Sequence, residues 1–254
     1  MGKIVVVANQ KGGVGKTTTA INLASSLAVM EKRILIVDID PQANATSGLG
    51  LEVDGTGNTI YDVLLEKVPY RKAVQKTFLE FLDILPADQN LVGAEIEMVN
   101  IMSRETRLRK VIRDAKKEYE YIFIDCPPSL NLLTVNSFTA GDSVLIPIQC
   151  EYFALEGLTQ LLNTIRLIQK NLNPGLDLEG IILTMYDSRL NLSKMVADEV
   201  RKYFGDKVYQ TVISRNVRLG EAPSYGQPII SFDIHSSGAM NYMKLAEEFL
   251  SGKK

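Results

Sequence analysis

The run Ile4-Val5-Val6-Val7 passes within two residues into Gln10-Lys11-Gly12-Gly13-Val14-Gly15-Lys16-Thr17-Thr18. A short β-branched run, then glycines, then a helix-compatible stretch reads as the strand, turn and helix of a phosphate-binding loop. Glycines let backbone N–H groups turn toward a phosphate with no Cβ in the way. Lys16 can reach the terminal phosphates of a bound nucleotide, and the Thr17 hydroxyl can hold Mg²⁺. The common form, G-x-x-x-x-G-K-[ST], would place its first glycine at position 10, where this chain has Gln10. Instead it carries the Gly12-Gly13 pair and a second lysine, Lys11, at the mouth of the loop. A lysine there has no task on its own chain's phosphates, and the glycines beside it permit close approach. The arrangement suggests a nucleotide shared between two subunits.

Apolar, β-branched runs then alternate with helical stretches along the chain. The pattern predicts an α/β fold: a doubly wound, mostly parallel sheet with helices on both faces. Strands are expected at Ile4–Val7, Ile34–Ile39, Leu82–Leu85, Tyr121–Ile124, Val144–Ile148 and Ile181–Met185, with shorter ones at Thr211–Ile213 and Ile229–Ile230. Helices are expected at Thr17–Met30, Glu105–Glu118, Glu156–Asn171, Lys194–Phe204 and Ser237–Leu250, and Pro174-Gly175 ends one of them. Residues 41 to 60, rich in Gly, Asn and Thr, suit a mobile loop beside the ligand. No repeat, low-complexity tract or long linker divides the chain, so residues 1–254 read as one domain.

The chain has 254 residues and a net charge of −2, which gives nucleic acid no overall attraction; any such contact needs a local patch. No apolar run approaches the roughly eighteen residues of a membrane span. The first residues lead straight into a strand, leaving no room for a signal peptide. The two cysteines, Cys126 and Cys150, stand far apart without metal-ligand spacing, which fits a reducing, cytoplasmic setting.

In a parallel sheet, ligands bind beyond the carboxyl ends of the strands. Asp125 closes Tyr121-Ile122-Phe123-Ile124, while Asp38 and Asp40 close the second strand. A carboxylate at Asp125 can bind Mg²⁺ opposite Thr17, or it can cap the next turn. Asp38 can join the Mg²⁺ shell or brace the loop. Water attack on a phosphate needs orientation more than strong base chemistry, a task within reach of Asp40.

These motifs resemble the ParA/Soj family of partition ATPases, whose deviant phosphate loop reads K-G-G-x-G-K-[ST]. The resemblance extends through Val37-Asp38-Ile39-Asp40-Pro41-Gln42, Ile124-Asp125-Cys126-Pro127-Pro128-Ser129, Pro147-Ile148-Gln149-Cys150-Glu151 and Arg215-Asn216-Val217-Arg218-Leu219. It implies ATP and Mg²⁺ as ligands, held by residues 11 to 18, from Lys11 through Gly12, Gly13, Val14, Gly15, Lys16 and Thr17 to Thr18. It implies three catalytic residues: Lys16, Lys11 acting across a dimer interface on the partner's nucleotide, and Asp40 positioning the attacking water. Gly12 would lie where the two backbones meet. Asn216 is expected near the adenine, although Ser214 stands where relatives commonly carry proline, which loosens the local φ. Met185 can pack on the base or simply fill the core.

The resemblance further implies slow, partner-stimulated ATP hydrolysis, an ATP-dependent homodimer and non-specific binding of double-stranded DNA on the nucleoid. A ParB-type centromere-binding protein is the implied partner, with the replication initiator DnaA another. Arg189, Lys194, Arg215 and Arg218 are the candidate DNA contacts, although Asp187, Asp198, Glu199 and Asp206 dilute the cluster. A membrane-associated positioning ATPase of the MinD type is the alternative. The C-terminal run from Tyr242 to Lys254 contains two acids and reads as a core-packed helix, a poor anchor.

Overall fold

The computed structural model describes residues 2–52, 57–151 and 154–252. Among the described residues seven strands form one sheet: β1 (Lys3–Val7), β2 (Ile34–Asp38), β3 (Gln75–Lys76), β4 (Leu82–Leu85), β5 (Tyr121–Asp125), β6 (Ser143–Gln149) and β7 (Asp177–Thr184). Their order is β3-β4-β2-β5-β1-β6-β7. Among these strands β3 against β4 is antiparallel, and the other pairings described are parallel. The expected α/β class with a mostly parallel sheet is the one observed.

Side-chain alternation sorts the strands between two cores. Val5, Val7, Ile34, Ile36 and Phe123 face one core. It is closed by α1 (Lys16–Val29), α2 (Asn44–Gly48), α9 (Val217–Glu221), α10 (Ile229–Phe232) and α11 (Ser237–Ser251). Ile4, Val6, Leu35, Val37, Ile122 and Ile124 face the other. There the cover is α3 (Ile60–Leu64), α4 (Leu91–Met98), α5 (Arg107–Ile112), α6 (Leu132–Ala140), α7 (Ala154–Asn171) and α8 (Asn191–Phe204). Strands buried on both faces explain why they read as continuous apolar runs.

The structure departs from the sequence expectations at several elements. Ile229–Ile230 is helical, in α10: Pro228 precedes it, and the Ile229 N–H donates to Asn22 Oδ1 of α1 at 2.7 Å. Thr211–Ile213 forms no strand, although the Ile213 N–H reaches the Leu183 carbonyl at 2.8 Å. The predicted helix over Glu105–Glu118 is broken into α5 between two tighter 3₁₀ turns, Arg104–Thr106 and Arg113–Lys117. Like charges four residues apart, Arg109 with Arg113 and Arg113 with Lys117, disfavour a continuous α-helix there. Within residues 41 to 60, Asn44–Gly48 is helix α2, and residues 53–56 lie outside the described residues. β2 stops at Asp38 and β7 at Thr184, leaving Asp40 and Met185 just past the strand ends.

Candidate functional site

The loop between β1 and α1 lies at the carboxyl edge of the sheet. Gly13 and Gly15 sit at φ 73° and 88°, in the left-handed region that side chains resist. Gly15 caps α1 without any side-chain hydrogen bond, so the first N–H groups of the helix face outward, as an anion site requires. The loop is tied down elsewhere. Thr184 Oγ1 at the end of β7 donates to the Val14 carbonyl at 2.8 Å. Asn9 Nδ2 donates to the Pro147 carbonyl at 2.8 Å, and Asn9 Oδ1 accepts the Lys11 N–H at 3.0 Å. Gly12 meets nothing of its own chain: a Cβ there would stand in open space.

Lys16 is buried, and its ammonium donates to the Lys11 carbonyl at 3.2 Å. Burial lowers its pKa, while Asp125, then Asp40, favour the charged form. Asp38 and Asp125 are partners in the β2–β5 register, so their carboxyls emerge side by side on the α1 face. Their surroundings differ. Asp38 Oδ2 accepts the Thr46 N–H at 2.9 Å and the Thr46 hydroxyl at 2.8 Å, and Oδ1 accepts the Asp40 N–H at 3.2 Å. Burial nonetheless pushes the Asp38 carboxyl up to about 6. Asp125 is fully buried, and among the described residues neither of its oxygens has a hydrogen-bond partner. Burial, then the neighbouring Asp38 charge, raise its pKa well above the usual carboxylate range; the Thr17 side chain opposes them.

An orphaned buried carboxylate beside a threonine hydroxyl fits a hard divalent cation, whose charge would repay the desolvation. Thr17 and Asp125 are the residues that would hold it. Asp38, with all its bonds to the chain following β2, is a brace for that loop. Among the described residues no cluster of three or more His, Cys, Asp or Glu is placed to hold a metal. That sparse donor set suits Mg²⁺, which keeps waters and takes substrate phosphates as ligands.

Two cavities meet at this edge. One of about 400 Å³ is lined by Gly12, Gly13, Lys16, Asp40, Asn44 and Pro128 among others. The second, about 320 Å³, is lined by Thr184, Ile213, Asn216, Val217 and Tyr242 among others. Gly15, Thr18 and Met185 border both. A charged chamber joined to a mostly apolar one matches a nucleotide's phosphates and base.

A family model described as an AAA domain matches residues 2–178. The sporulation initiation inhibitor protein Soj of Bacillus subtilis is 58% identical over 248 residues, covering 98% of this chain and 98% of that protein. The chromosome partitioning protein ParA of Myxococcus xanthus is 54% identical over 250 residues, covering 98% and 88%. The chain belongs to the ParA/Soj family of chromosome-partitioning ATPases. Among solved structures, Mycobacterium smegmatis cobyrinic acid a,c-diamide synthase with a bound ATP analogue and magnesium is similar at a TM-score of 0.86. It is 35% identical, with 98% of this chain and 95% of that one covered.

In this ParA/Soj family member, Lys11 Nζ lies 3.2 Å from Glu151 Oε2 of the same chain. Asn216 borders the apolar cavity, but its side chain is engaged: Oδ1 caps α9 by accepting the Arg218 N–H at 2.7 Å, and Nδ2 donates to Ser237 Oγ at 2.7 Å. Ser214 donates its N–H to Asn241 Oδ1 at 3.0 Å, a bond that proline could not make.

The four candidate DNA contacts do not form one free cluster. Arg189 is 85% exposed and makes a forked pair with Asp187 at 2.7 and 2.9 Å, which holds that carboxyl down to about 2. Arg218 is shared between Glu221 at 3.0 Å and Asp233 at 3.4 Å. Lys194 and Arg215 are exposed and make no side-chain ion pair among the described residues. Sequence reasoning missed Asn9, Thr46, Thr184 and the Glu151 partner of Lys11. The bonds of Asn9 to Pro147, Thr184 to Val14 and Lys11 to Glu151 join residues more than a hundred positions apart, and no local pattern announces them.

Proposed function

We propose that this family member binds ATP–Mg²⁺ in the two joined cavities and hydrolyses it slowly as a switch that controls dimerisation and DNA binding. The observation that carries the reading is Asp125: a buried carboxylate without a hydrogen-bond partner, beside Thr17 and the open end of α1. The α1 N–H groups and the Lys16 ammonium hold the terminal phosphates. Asp40 lines the phosphate cavity and orients the attacking water. Thr17 and Asp125 would hold the cation, which would supply positive charge against that developing on the phosphate oxygens.

Lys11 supplies the link to a second subunit. In the single chain it is parked on Glu151, and acting on a partner's nucleotide requires that it leave this exposed, weak pair. Gly12, with open space above it, is free to receive the partner's backbone. In the dimer, Arg189, Lys194 and Arg215 would contact the phosphates of double-stranded DNA without reading sequence, with Arg218 a lesser contact because two acids already hold it. Membership of the family supports, as part of this reading, a ParB-type partner that stimulates turnover, contact with DnaA, and a cytoplasmic, nucleoid-associated location. The MinD-type reading is disfavoured by α11, whose Tyr242, Leu245, Ala246 and Phe249 are buried against the sheet. Among the described residues no helix is long and apolar enough to cross a membrane.

The deciding experiment measures size and DNA retention with ADP, with ATP, and with ATP for Asp40→Ala. Monomer, transient dimer and trapped dimer are expected in that order, with DNA retained only by dimers and with hydrolysis by Asp40→Ala lowered at least ~100-fold. A monomer under all three conditions refutes the switch.

A further inference from the structure

At the opposite edge of the sheet, where the strands begin, lies a cavity of about 620 Å³. Its floor includes Ile4 of β1 with Thr139 and Ala140 from the end of α6, all three buried. Four cations line it: Arg109 and Lys110 from α5, and Arg113 and Lys116 from the 3₁₀ turn that follows. They belong to a stretch, residues 104–117, that carries seven Lys/Arg against two acids in a chain of net charge −2.

Two of the four are neutralised locally. Lys116 Nζ lies 2.8 Å from both Asp142 oxygens, and Asp142 Oδ2 also accepts the Ile4 N–H at 2.7 Å. Lys110 Nζ is 2.7 Å from Glu66, which also serves Arg107 at 2.8 Å. Among the described residues the Arg109 side chain makes one hydrogen bond, to the Leu172 carbonyl at 3.5 Å, and neither it nor Arg113 makes a side-chain ion pair. These two guanidiniums stand four residues apart, a spacing at which like charges repel on a helix. The neighbouring Asp114 offsets part of the Arg113 charge from outside the cavity lining, and neither guanidinium is neutralised by an ion pair among the described residues. In the 3₁₀ turn, residues three apart eclipse, which stacks Arg113 above Lys116 on the same wall.

We propose that this cavity binds a small polyphosphate anion, either free or as the di- or triphosphate tail of a nucleotide. Its volume falls within the roughly 300–1,000 Å³ of small-molecule sites. Guanidinium forks match phosphate oxygens two at a time, and the recessed floor admits a small anion where a convex DNA duplex would touch only the rim. The site lies across the sheet from the phosphate loop, so it stands or falls independently of the proposed ATPase cycle.

The test uses the Lys16→Ala chain, in which the phosphate loop is disabled, titrated calorimetrically with sodium tripolyphosphate, ADP and a short DNA duplex. Saturable tripolyphosphate binding is expected, weakened at least ~10-fold when Arg109→Ala and Arg113→Ala are added. ADP binding more tightly than tripolyphosphate identifies a nucleotide, and the reverse identifies free polyphosphate. In wild-type protein carrying one equivalent of ADP with Mg²⁺ in the phosphate loop, the same two substitutions should weaken further binding of tripolyphosphate or ADP by a similar factor, which guards against misfolding of Lys16→Ala. Absence of saturable binding in both backgrounds, indifference to the arginine substitutions, or loss of duplex binding alone overturns the proposal.

Discussion

At the starting edge of the sheet, Glu179 on β7 accepts Ser143 Oγ at 2.5 Å and pairs with Lys3 of β1 at 2.5 Å. At the finishing edge, Asp125 is as deeply buried and has no hydrogen-bond partner. The two carboxylates sit on the same scaffold, yet one ties strands together and the other is left open. A buried charge with its partners in place is structural, whereas one without them costs stability until something binds. The contrast locates the working end of the molecule without reference to any motif.

The comparison can be broken most forcefully through pH. Asp38, beside Asp125, has its carboxyl raised by burial from 3.8 to about 6. A raised carboxyl favours the native state while it is protonated, so its contribution is complete below about pH 4. It is lost as pH rises through 6, on the order of 3 kcal/mol. Urea unfolding of the nucleotide-free protein from pH 4 to 7 should show a larger loss in the wild type than in Asp38→Asn, which keeps only the contribution of the buried Asp125. Parallel pH profiles would remove the distinction between the two edges.

A smaller effect is expected from Asp125→Asn, which removes the unpaired charge. The nucleotide-free protein should gain about 2 kcal/mol, while the extra melting stability that Mg²⁺ gives the ADP complex should vanish. A destabilised variant that still responds to Mg²⁺ would place the cation elsewhere. The smallest effect belongs to the starting edge. Glu179→Gln should cost about 1 kcal/mol in denaturant unfolding, because Lys3 is partly exposed and can return to water. ATP turnover should be unchanged; a large fall would mean that this edge also serves the nucleotide.

The strands and the phosphate loop were legible in the sequence because each has a local cause. Apolar runs mark β1, β2, β4, β5, β6 and β7, and Gly13 and Gly15 stand where φ is positive. Helix α6 was missed because its buried side includes Thr134, Asn136, Ser137 and Thr139. Ser137 and Thr139 return their hydroxyls to carbonyls four residues back at 2.9 and 2.8 Å, which satisfies them without leaving an apolar stripe to read. Helix α10 failed in the other direction, since two adjacent isoleucines suit a strand and only the contact with Asn22 makes them helical. At the site, strand-end position singled out the acids. Which of Asp38 and Asp125 would be bonded depended on Thr46, whose place above Asp38 is a tertiary fact. Asp187, which holds Arg189, already stood out in the sequence, whereas the Asp233 that shares Arg218 was visible only in three dimensions.

Met185 stands at φ 50°, a left-handed conformation unusual for a long side chain, on the wall common to the two cavities. Four residues later comes Arg189, at the outer rim. That span is at most about 14 Å of chain. A base seated against Met185, as proposed, would lie only a few residues of chain from the surface proposed for DNA, at a residue already held in a costly backbone pose.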